Sequence, residues 1–346
     1  MTQTKGLKLA LDDYGSFLGM EKGCFVVKDR NDNVERYPLF EQEIGEVVLK
    51  SGNSISTGAL ASLGFWDVDI LVLTRRGRPV AFLRSLEDDS HVKTRVRQYE
   101  ALNSGRGVYV AKQLVKAKIQ GQNQVLKKHR LPPHESPSLL AADAIQGDEV
   151  KSVRHRLMTI EGHHSKRYFH QIWTLLPAWL RPEARKSFKA YDGLNNLLNL
   201  AYEMLSWKVH IALVKAKLEP YLGFLHSVQY AKPSLVCDFA ELYRYLMDDF
   251  VIWYCQRLRK KDFMAKSETY RNRRAKREYL NDKKTQDFMK KLNDFFQSTV
   301  EIPRIRIGKR QEVETLINEE AWLLAKFVRK EKEAWKPRIA NLSISC

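Results

Sequence analysis

The sequence predicts an α+β fold in which a small N-terminal β-rich domain, residues 1–85, precedes a large all-α domain, residues 86–346. Short apolar runs separated by turn residues fill the first part, and apolar residues at helical spacing fill the second. Between them "RSLEDDSH", residues 84–91, fits neither pattern and is typical of a linker. A chain of 346 residues is long enough to give each domain its own core.

The first domain has the short apolar runs and intervening turn residues that are typical of a β-sheet. Apolar runs such as "LKLAL", "GCFVVKD", "EVVLK" and "DILVLT" are bounded by the turn sequences "DRNDN" and "RRGRP". Within this domain "SISTGALASLGFW" predicts a short helix. The domain is electrically neutral, with 11 Lys and Arg against 11 Asp and Glu.

The second domain is predicted to be helical almost throughout. "VKTRVRQYEAL" and "GVYVAKQLVKAKIQGQNQVLKKH" place apolar residues three and four positions apart with basic residues between them. The proline-broken loop "RLPPHESP" follows, and "SLLAADAIQ" resumes the helical pattern.

The net charge of +18 lies entirely in the second domain, which has 48 Lys and Arg against 30 Asp and Glu. Its densest part, 257–291, holds 14 basic against 5 acidic residues. Such an excess predicts a polyanionic partner, nucleic acid before an anionic membrane, with a merely solvated basic surface as the alternative. No zinc-finger, homeodomain or RNP signature is present, which favours contact with the phosphate backbone.

The chain has no apolar run near the ~18 residues that span a bilayer, and its N-terminus reaches acidic residues too early for a signal peptide. We therefore expect a soluble, cytoplasmic protein. The four cysteines are scattered without C-x-x-C spacing, which argues against a zinc site or a disulfide framework.

Glu161 is the first acid in an unexpected place. At ~100° per residue it falls inside an apolar stripe that includes Val153, Leu157, Ile160 and Tyr168. A carboxylate there needs a cation, a metal or hydrogen-bond donors. The structural alternative to a functional site is a glutamate at the edge of the core that pairs with a Lys or Arg, for example one from the adjacent "HSKR".

Asp238 and Glu241 pose the same problem in "LGFLHSVQYAKPSLVCDFAELYR", residues 222–244. With Ser234 as the predicted N-cap, Asp238 borders the apolar stripe of the helix and Glu241 lies on the adjoining edge. Attraction to the helix dipole and pairing of Glu241 with Arg244 are the structural alternatives. His226 precedes them in a turn.

One imidazole and several carboxylates form a hard, oxygen-rich ligand set that suits Mg²⁺ or Mn²⁺. In a basic protein, acids that gather need a cation between them. A metal held there, next to cations that bind a nucleic-acid strand, is suited to chemistry on phosphodiesters.

Four segments in fixed order resemble a known family. "IEGHHSKRYF", "YDGLNNLLNLAYEML", "GFLH" and "SLVCDFAE" are similar to the ordered motifs of the CRISPR-associated integrase and endonuclease family of spacer acquisition. Each motif is weak by itself, whereas the ordered set is specific and covers most of the chain.

The resemblance implies a function and a partner set. It implies that Glu161, His226 and Asp238 are catalytic metal ligands and that Glu241 is an accessory ligand, with Mg²⁺ or Mn²⁺ as the cofactor. The implied reaction is transesterification, in which the 3′-hydroxyl of a short spacer-precursor DNA attacks a repeat phosphodiester, together with metal-dependent nuclease activity. The implied partners are double-stranded DNA with free 3′ ends, CRISPR repeat DNA, a second copy of the chain and a small ferredoxin-like bridging protein, with the N-terminal domain providing protein contacts.

Two alternatives remain open at this point. The acids are structural in a non-catalytic architectural nucleic-acid-binding protein, or they serve a hydrolytic nuclease without integration activity. His163 and His164 stand where the family has a small residue, and we expect both to flank the site or face DNA rather than bind the metal.

Overall fold

The computed structural model describes residues 7–38, 44–85, 91–188, 190–270, 273–302 and 310–342. The chain divides into two units, Met1–Asp89 and Ser90–Cys346. The predicted domain boundary after residue 85 meets residues 86–90, which lie outside the described residues.

The first unit is β-rich, as predicted, and is built from two four-stranded sheets. One sheet has the order β1-β5-β7-β8, with β8 antiparallel to its neighbour and the other pairs parallel. The second has the order β4-β3-β2-β6, in which β2, β3 and β4 form an antiparallel meander. The strands are β1 Leu7–Leu11, β2 Phe17–Glu21, β3 Cys24–Lys28, β4 Val34–Pro38, β5 Ile44–Lys50, β6 Ser54–Ile55, β7 Asp69–Leu73 and β8 Pro79–Leu83.

The short helix predicted within this unit is confirmed as α1, Thr57–Phe65. The Ser56 side chain caps it by accepting a hydrogen bond from the Ala59 amide at 3.1 Å, which satisfies a backbone donor that the first turn leaves free. Leu63 of α1 is buried in one core with strand residues such as Val47 and Leu18. Burial of the helix against the strands stabilises the unit.

The second unit is mostly helical, and its described residues contain nine α-helices. They are α2 His91–Leu102, α3 Gly105–Lys128, α4 Glu135–Ala144, α5 Val150–Ile172, α6 Gly193–Lys215, α7 Ser234–Ala240, α8 Arg244–Cys255, α9 Asp282–Gln297 and α10 Val313–Val328. The helices predicted from "VKTRVRQYEAL", "GVYVAKQLVKAKIQGQNQVLKKH" and "SLLAADAIQ" are confirmed as α2, α3 and α4.

The prediction of an all-α second domain is wrong in one part. The basic segment forms an antiparallel hairpin of β9, Phe263–Tyr270, and β10, Arg273–Leu280, and a shorter pair is made by β11, Thr299–Glu301, and β12, Arg310–Glu312. Charged and polar residues crowd both hairpin strands, so the period of two that marks a strand has almost no apolar face to reveal it.

Helix α3 runs through the core of the second unit and packs against α4, α5 and α8. Gly121 allows the close approach to α8, because a Cβ at this position would lie 2.4 Å from the Tyr245 ring. The hydroxyl of Tyr245 donates to the Ala340 carbonyl at 3.1 Å, which fastens the segment after α10 to α8. Glu320 fastens the same segment by accepting from Trp335 Nε1 and Arg338 Nε, each at 2.7 Å.

Candidate active site

Three helices of the second unit meet at one buried cation. Lys118 of α3 is only 8% exposed, and its ammonium contacts a carboxylate oxygen of Glu161 on α5. The same ammonium lies 2.7 Å from Oε2 of Glu241, which directly follows α7. Two acids from distant parts of the chain therefore share one positive charge.

Glu161 is held by its own helix as well as by Lys118. The hydroxyl of Ser165, one turn further along α5, donates to Glu161 Oε1 at 2.9 Å. The side-chain amide of Gln122 on α3 donates in turn to the Ser165 oxygen at 3.2 Å. These donors supply the hydrogen bonds that a carboxylate inside an apolar stripe needs.

Glu241 is ionised although it is buried. Burial disfavours the charged form, but Arg244, whose Nη1 lies 2.5 Å from Oε1, and Lys118 outweigh that cost and lower the pKa of Glu241 to about 2. The two carboxylates likewise outweigh burial at Lys118 and raise the pKa of its ammonium. The pairing of Glu241 with Arg244, which is the structural alternative to a metal ligand, is present, and it coexists with a second, shared cation.

His226 and Asp238 form a separate pair beside these acids. Asp238 on α7 is fully buried, and its Oδ1 accepts from the His226 amide at 2.7 Å and lies 2.6 Å from Nδ1 of the same imidazole. Its Oδ2 accepts from the Leu225 amide at 2.8 Å. Asp238 thus holds the backbone and the ring of His226 with both oxygens and leaves Nε2 as the ring atom for a ligand.

The loop that carries His226 is packed closely against α7. A Cβ on Gly223 would lie 2.7 Å from Asp238 Oδ2 and 2.8 Å from Ser234. The prediction that Ser234 caps α7 is wrong by one residue, since Ser234 is the first helical residue and its hydroxyl donates to the Ser227 carbonyl at 2.7 Å. The Ser234 side chain therefore ties down the loop rather than the helix end.

The predicted site residues thus form two groups, Glu161 with Glu241 and His226 with Asp238. An electrostatic effect of His226 on Glu241 links the groups. Among the residues that the structure describes, no three His, Cys, Asp or Glu side chains are already arranged around a metal position. The donor set nevertheless fits a hard divalent cation, because two carboxylates already share a cation and an imidazole stands nearby.

A cleft of about 1010 Å³, large enough for several nucleotide-sized groups, is lined by Glu161 but not by Glu241, His226 or Asp238. Glu161 and Lys118 lie on its wall together with the basic side chains of Lys166, Arg167, Arg185 and Arg244. Cations from three parts of the chain therefore line the same cleft as the Glu161 carboxylate, which is a distribution suited to a phosphate-bearing strand.

Asp248 is a buried acid of the cleft that the sequence did not reveal. It accepts hydrogen bonds from the hydroxyls of Tyr168, at 2.9 Å, and Tyr202. The guanidinium groups of Arg185 and Arg244 lie 5.0 and 4.8 Å from the centre of the Tyr202 ring. The only signal in the sequence was the acidic pair "DD" inside an apolar helix.

Burial raises the pKa of Asp248 to about 6, against the opposing effect of the two tyrosine hydroxyls. The folded protein therefore binds this proton more tightly than the unfolded chain, and the free energy of unfolding falls as the pH rises from about 4 to about 6. The Asp248→Asn variant retains a neutral group at all pH values. We expect its stability relative to the wild type to increase by about 2 kcal/mol between pH 4 and pH 7, measured by urea unfolding.

The matched control is Asp249→Asn. Asp249 is bonded to Lys128 Nζ at 2.7 Å and to the His129 ring at 3.0 Å, so a neutral amide with a single oxygen loses the charge and one of the two acceptors. We expect this variant to be less stable than the wild type at pH 7. A difference between Asp248→Asn and the wild type that does not vary with pH would contradict the assignment of Asp248.

His164 is buried, which favours the expectation that it flanks the site over the expectation that it faces DNA. It is 1% exposed, and its ring lies 4.4 Å from that of His134. Burial, followed by the effect of His134, lowers its pKa to about 3, so His164 is neutral. His163 is exposed on the cleft wall, and this position fits the expectation that it flanks the site.

The aromatic residues of the basic segment 257–291 include core anchors. Phe288 is fully buried, and Phe263 is half-buried with its ring edge-on to Trp179 at 5.8 Å. Stacking on bases is therefore not required to explain these two side chains.

The described parts of the protein contain no helix that is both long and apolar enough to cross a bilayer.

The chain matches the model of one protein family, "CRISPR associated protein Cas1", over residues 9–294. A CRISPR-associated endonuclease Cas1 of Archaeoglobus fulgidus is 30% identical over 273 residues, which are 71% of this chain and 77% of the relative. One from Francisella tularensis subsp. novicida is 27% identical over 332 residues, 92% of this chain and 94% of the relative.

Solved structures share the fold at low sequence identity. A casposase bound to integration product superposes with a TM-score of 0.70 at 19% identity and covers 95% of this chain and 98% of its own. A Cas1 protein from Thermotoga maritima gives a TM-score of 0.66 at 18% identity over 95% of this chain and 99% of its own. A partial Cas6-RT-Cas1–Cas2 complex gives 0.69 at 19% identity, covering 98% of this chain and 100% of that one.

Proposed function

The chain belongs to the CRISPR-associated Cas1 family, and we propose that it is a metal-dependent DNA integrase and endonuclease of spacer acquisition. In this proposal it joins the 3′-hydroxyl of a short spacer-precursor DNA to a phosphodiester of the repeat. The observation that carries the proposal is the meeting of Glu161 and Glu241 at one cation on the wall of a basic cleft.

Glu161, Glu241 and His226 would hold the metal, Mg²⁺ or Mn²⁺. Asp238 remains part of the proposed centre, and its three hydrogen bonds to residues 225 and 226 favour a role in orienting His226. When bound, the metal supplies positive charge that offsets charge on the reacting phosphate and lowers the pKa of the attacking hydroxyl.

The remaining chemistry belongs to side chains of the cleft. Arg244 and Arg185 are held over the Tyr202 ring and bind phosphate oxygens, while Lys166 and Arg167 hold the strand further out. In the transesterification one P–O bond forms as another breaks, and the proton of the incoming hydroxyl leaves with the departing 3′-oxygen. The energy of the bond is conserved, so the enzyme contributes position and charge.

The proposed partners are double-stranded DNA with free 3′ ends, CRISPR repeat DNA, a second copy of this chain and a small ferredoxin-like bridging protein. Support for DNA comes from the casposase, whose structure contains integration product, and support for a bridging partner from the complex that contains Cas2. The N-terminal unit exposes Phe65 and Trp66, 78% and 49% accessible, with their rings edge-to-face. An exposed aromatic pair supports assigning protein contacts to this unit.

The test is a strand-transfer assay on a supercoiled plasmid that carries a CRISPR repeat. Labelled duplex DNA ending in a 3′-hydroxyl is compared with the same duplex ending in a 3′-dideoxynucleotide, each with Mn²⁺ or with EDTA. We expect label to join the plasmid only when the hydroxyl and the metal are both present. Nicking that is independent of the 3′ end would identify a hydrolytic nuclease, and salt-sensitive binding without covalent products would identify an architectural protein.

A further inference from the structure

The buried ammonium of Lys118 occupies the position between two acids where the proposed function requires a metal. The ammonium contacts oxygens of both Glu161 and Glu241, two acids that would hold the metal. We propose that Lys118 holds this position in the absence of substrate and leaves it for a DNA phosphate, so that metal binding is coupled to substrate binding. This inference rests on the proposed function.

The two acids do not depend on Lys118 to stay in place. Glu161 keeps the Ser165 hydroxyl, and Glu241 keeps Arg244, when the ammonium withdraws. A preformed pair of carboxylates therefore remains after the lysine moves, which is the condition for exchanging one cation for another.

The ammonium and a divalent cation exclude each other at this position. Both would require the same two carboxylate oxygens, and two positive charges a few ångströms apart repel strongly in a buried site. Metal binding must therefore move Lys118 away from at least one acid. The cost of that movement lowers the metal affinity of the protein without substrate.

A DNA phosphate offers the displaced ammonium a new partner. Lys118 lies on the wall of the cleft, and its flexible four-carbon stem allows the charge to shift towards the open side. Asp248, a further acid of the cleft, is already bonded to two tyrosine hydroxyls. An ion pair with an incoming phosphate therefore replaces the two ion pairs that Lys118 gives up. The same step leaves both carboxylates free to bind the metal.

The test measures Mn²⁺ affinity by titration calorimetry, with and without a duplex whose 3′ ends are dideoxy so that no reaction occurs, after subtraction of Mn²⁺ binding to DNA alone. For the wild type we expect the duplex to tighten Mn²⁺ binding at least tenfold. For Lys118→Met we expect Mn²⁺ binding in the absence of DNA to be at least tenfold tighter than for the wild type, with little further gain from the duplex.

Lys116→Met is the matched control, since Lys116 lies on the same helix and pairs with Asp143 of α4 at 2.8 Å. Its Mn²⁺ affinity should equal that of the wild type. Thermal unfolding provides an independent readout, in which Mn²⁺ should raise the melting temperature of Lys118→Met more than that of the wild type.

Equal Mn²⁺ affinity of Lys118→Met and the wild type would overturn the coupling and leave the proposed function intact. Absence of Mn²⁺ binding in either protein, with or without DNA, would overturn both. If Lys118→Met does not fold, the wild-type titrations are sufficient to test the proposal. A duplex that leaves the Mn²⁺ affinity of the wild type unchanged would contradict it.

Discussion

Strand transfer by a Glu161→Gln variant is expected to fall by at least about a thousandfold, which corresponds to about 4 kcal/mol of lost transition-state stabilisation. Glutamine preserves the length of the side chain and an oxygen that can accept from Ser165, but it removes the charge that faces Lys118. The variant should therefore remain folded. Initial rates of the strand-transfer assay measure the effect.

DNA binding should separate this variant from a general loss of structure. The basic residues of the cleft are unchanged in Glu161→Gln, so its DNA affinity, measured by fluorescence polarisation, should stay within about threefold of the wild type. Glu183→Gln is the matched control, because Glu183 lies on the same cleft and is not assigned to the metal site. Full strand-transfer activity of Glu161→Gln would show that Glu161 is not required for the reaction.

An Asp238→Asn variant is expected to lose about 100- to 1,000-fold in strand transfer and about 2–3 kcal/mol in stability. Asp238 accepts three hydrogen bonds with two oxygens, and an amide can present only one oxygen to them. One donor of the loop would face the NH₂ group, and His226 would lose its fixed orientation. Urea unfolding and initial rates measure the two effects.

The comparison with Glu241→Gln tests whether Asp238 orients a ligand or is one. If Asp238 acts through His226, Asp238→Asn should retain more of the Mn²⁺ affinity than Glu241→Gln, because the Glu161–Glu241 pair remains intact. Loss of Mn²⁺ binding to the same extent in both variants would show that Asp238 binds the metal directly.

The sequence could predict which acids need explanation, because helical periodicity places Glu161 on an apolar stripe and Asp238 at the border of one. It could not predict the partner of Glu161. Lys118 is one of many basic residues on α3, and only the packing of α3 against α5 and beside Glu241 distinguishes it as the buried one.

The β-rich first unit and the helices of the second could be predicted because their apolar residues repeat with a clear period. The hairpin of β9 and β10 could not. Its ends are anchored by Phe263 opposite Leu280, while backbone hydrogen bonds hold the charged residues between them, and those bonds leave no pattern in side-chain polarity. The role of Asp248 could not be predicted because its partners, Tyr168 and Tyr202, are distant in the sequence. The role of Ser234 could not be predicted because it depends on how the loop before α7 folds back to bring the Ser227 carbonyl close.

The attachment of α8 to the segment after α10 bears on protein synthesis. Tyr245 of α8 lies on the cleft and is fastened to the Ala340 carbonyl, and Arg244 of the same helix holds Glu241. A ribosome must therefore translate residues beyond α10 before α8 acquires this hydrogen bond. A chain that ends before residue 340 lacks this partner, and the buried Tyr245 hydroxyl then loses the carbonyl that accepts its hydrogen bond.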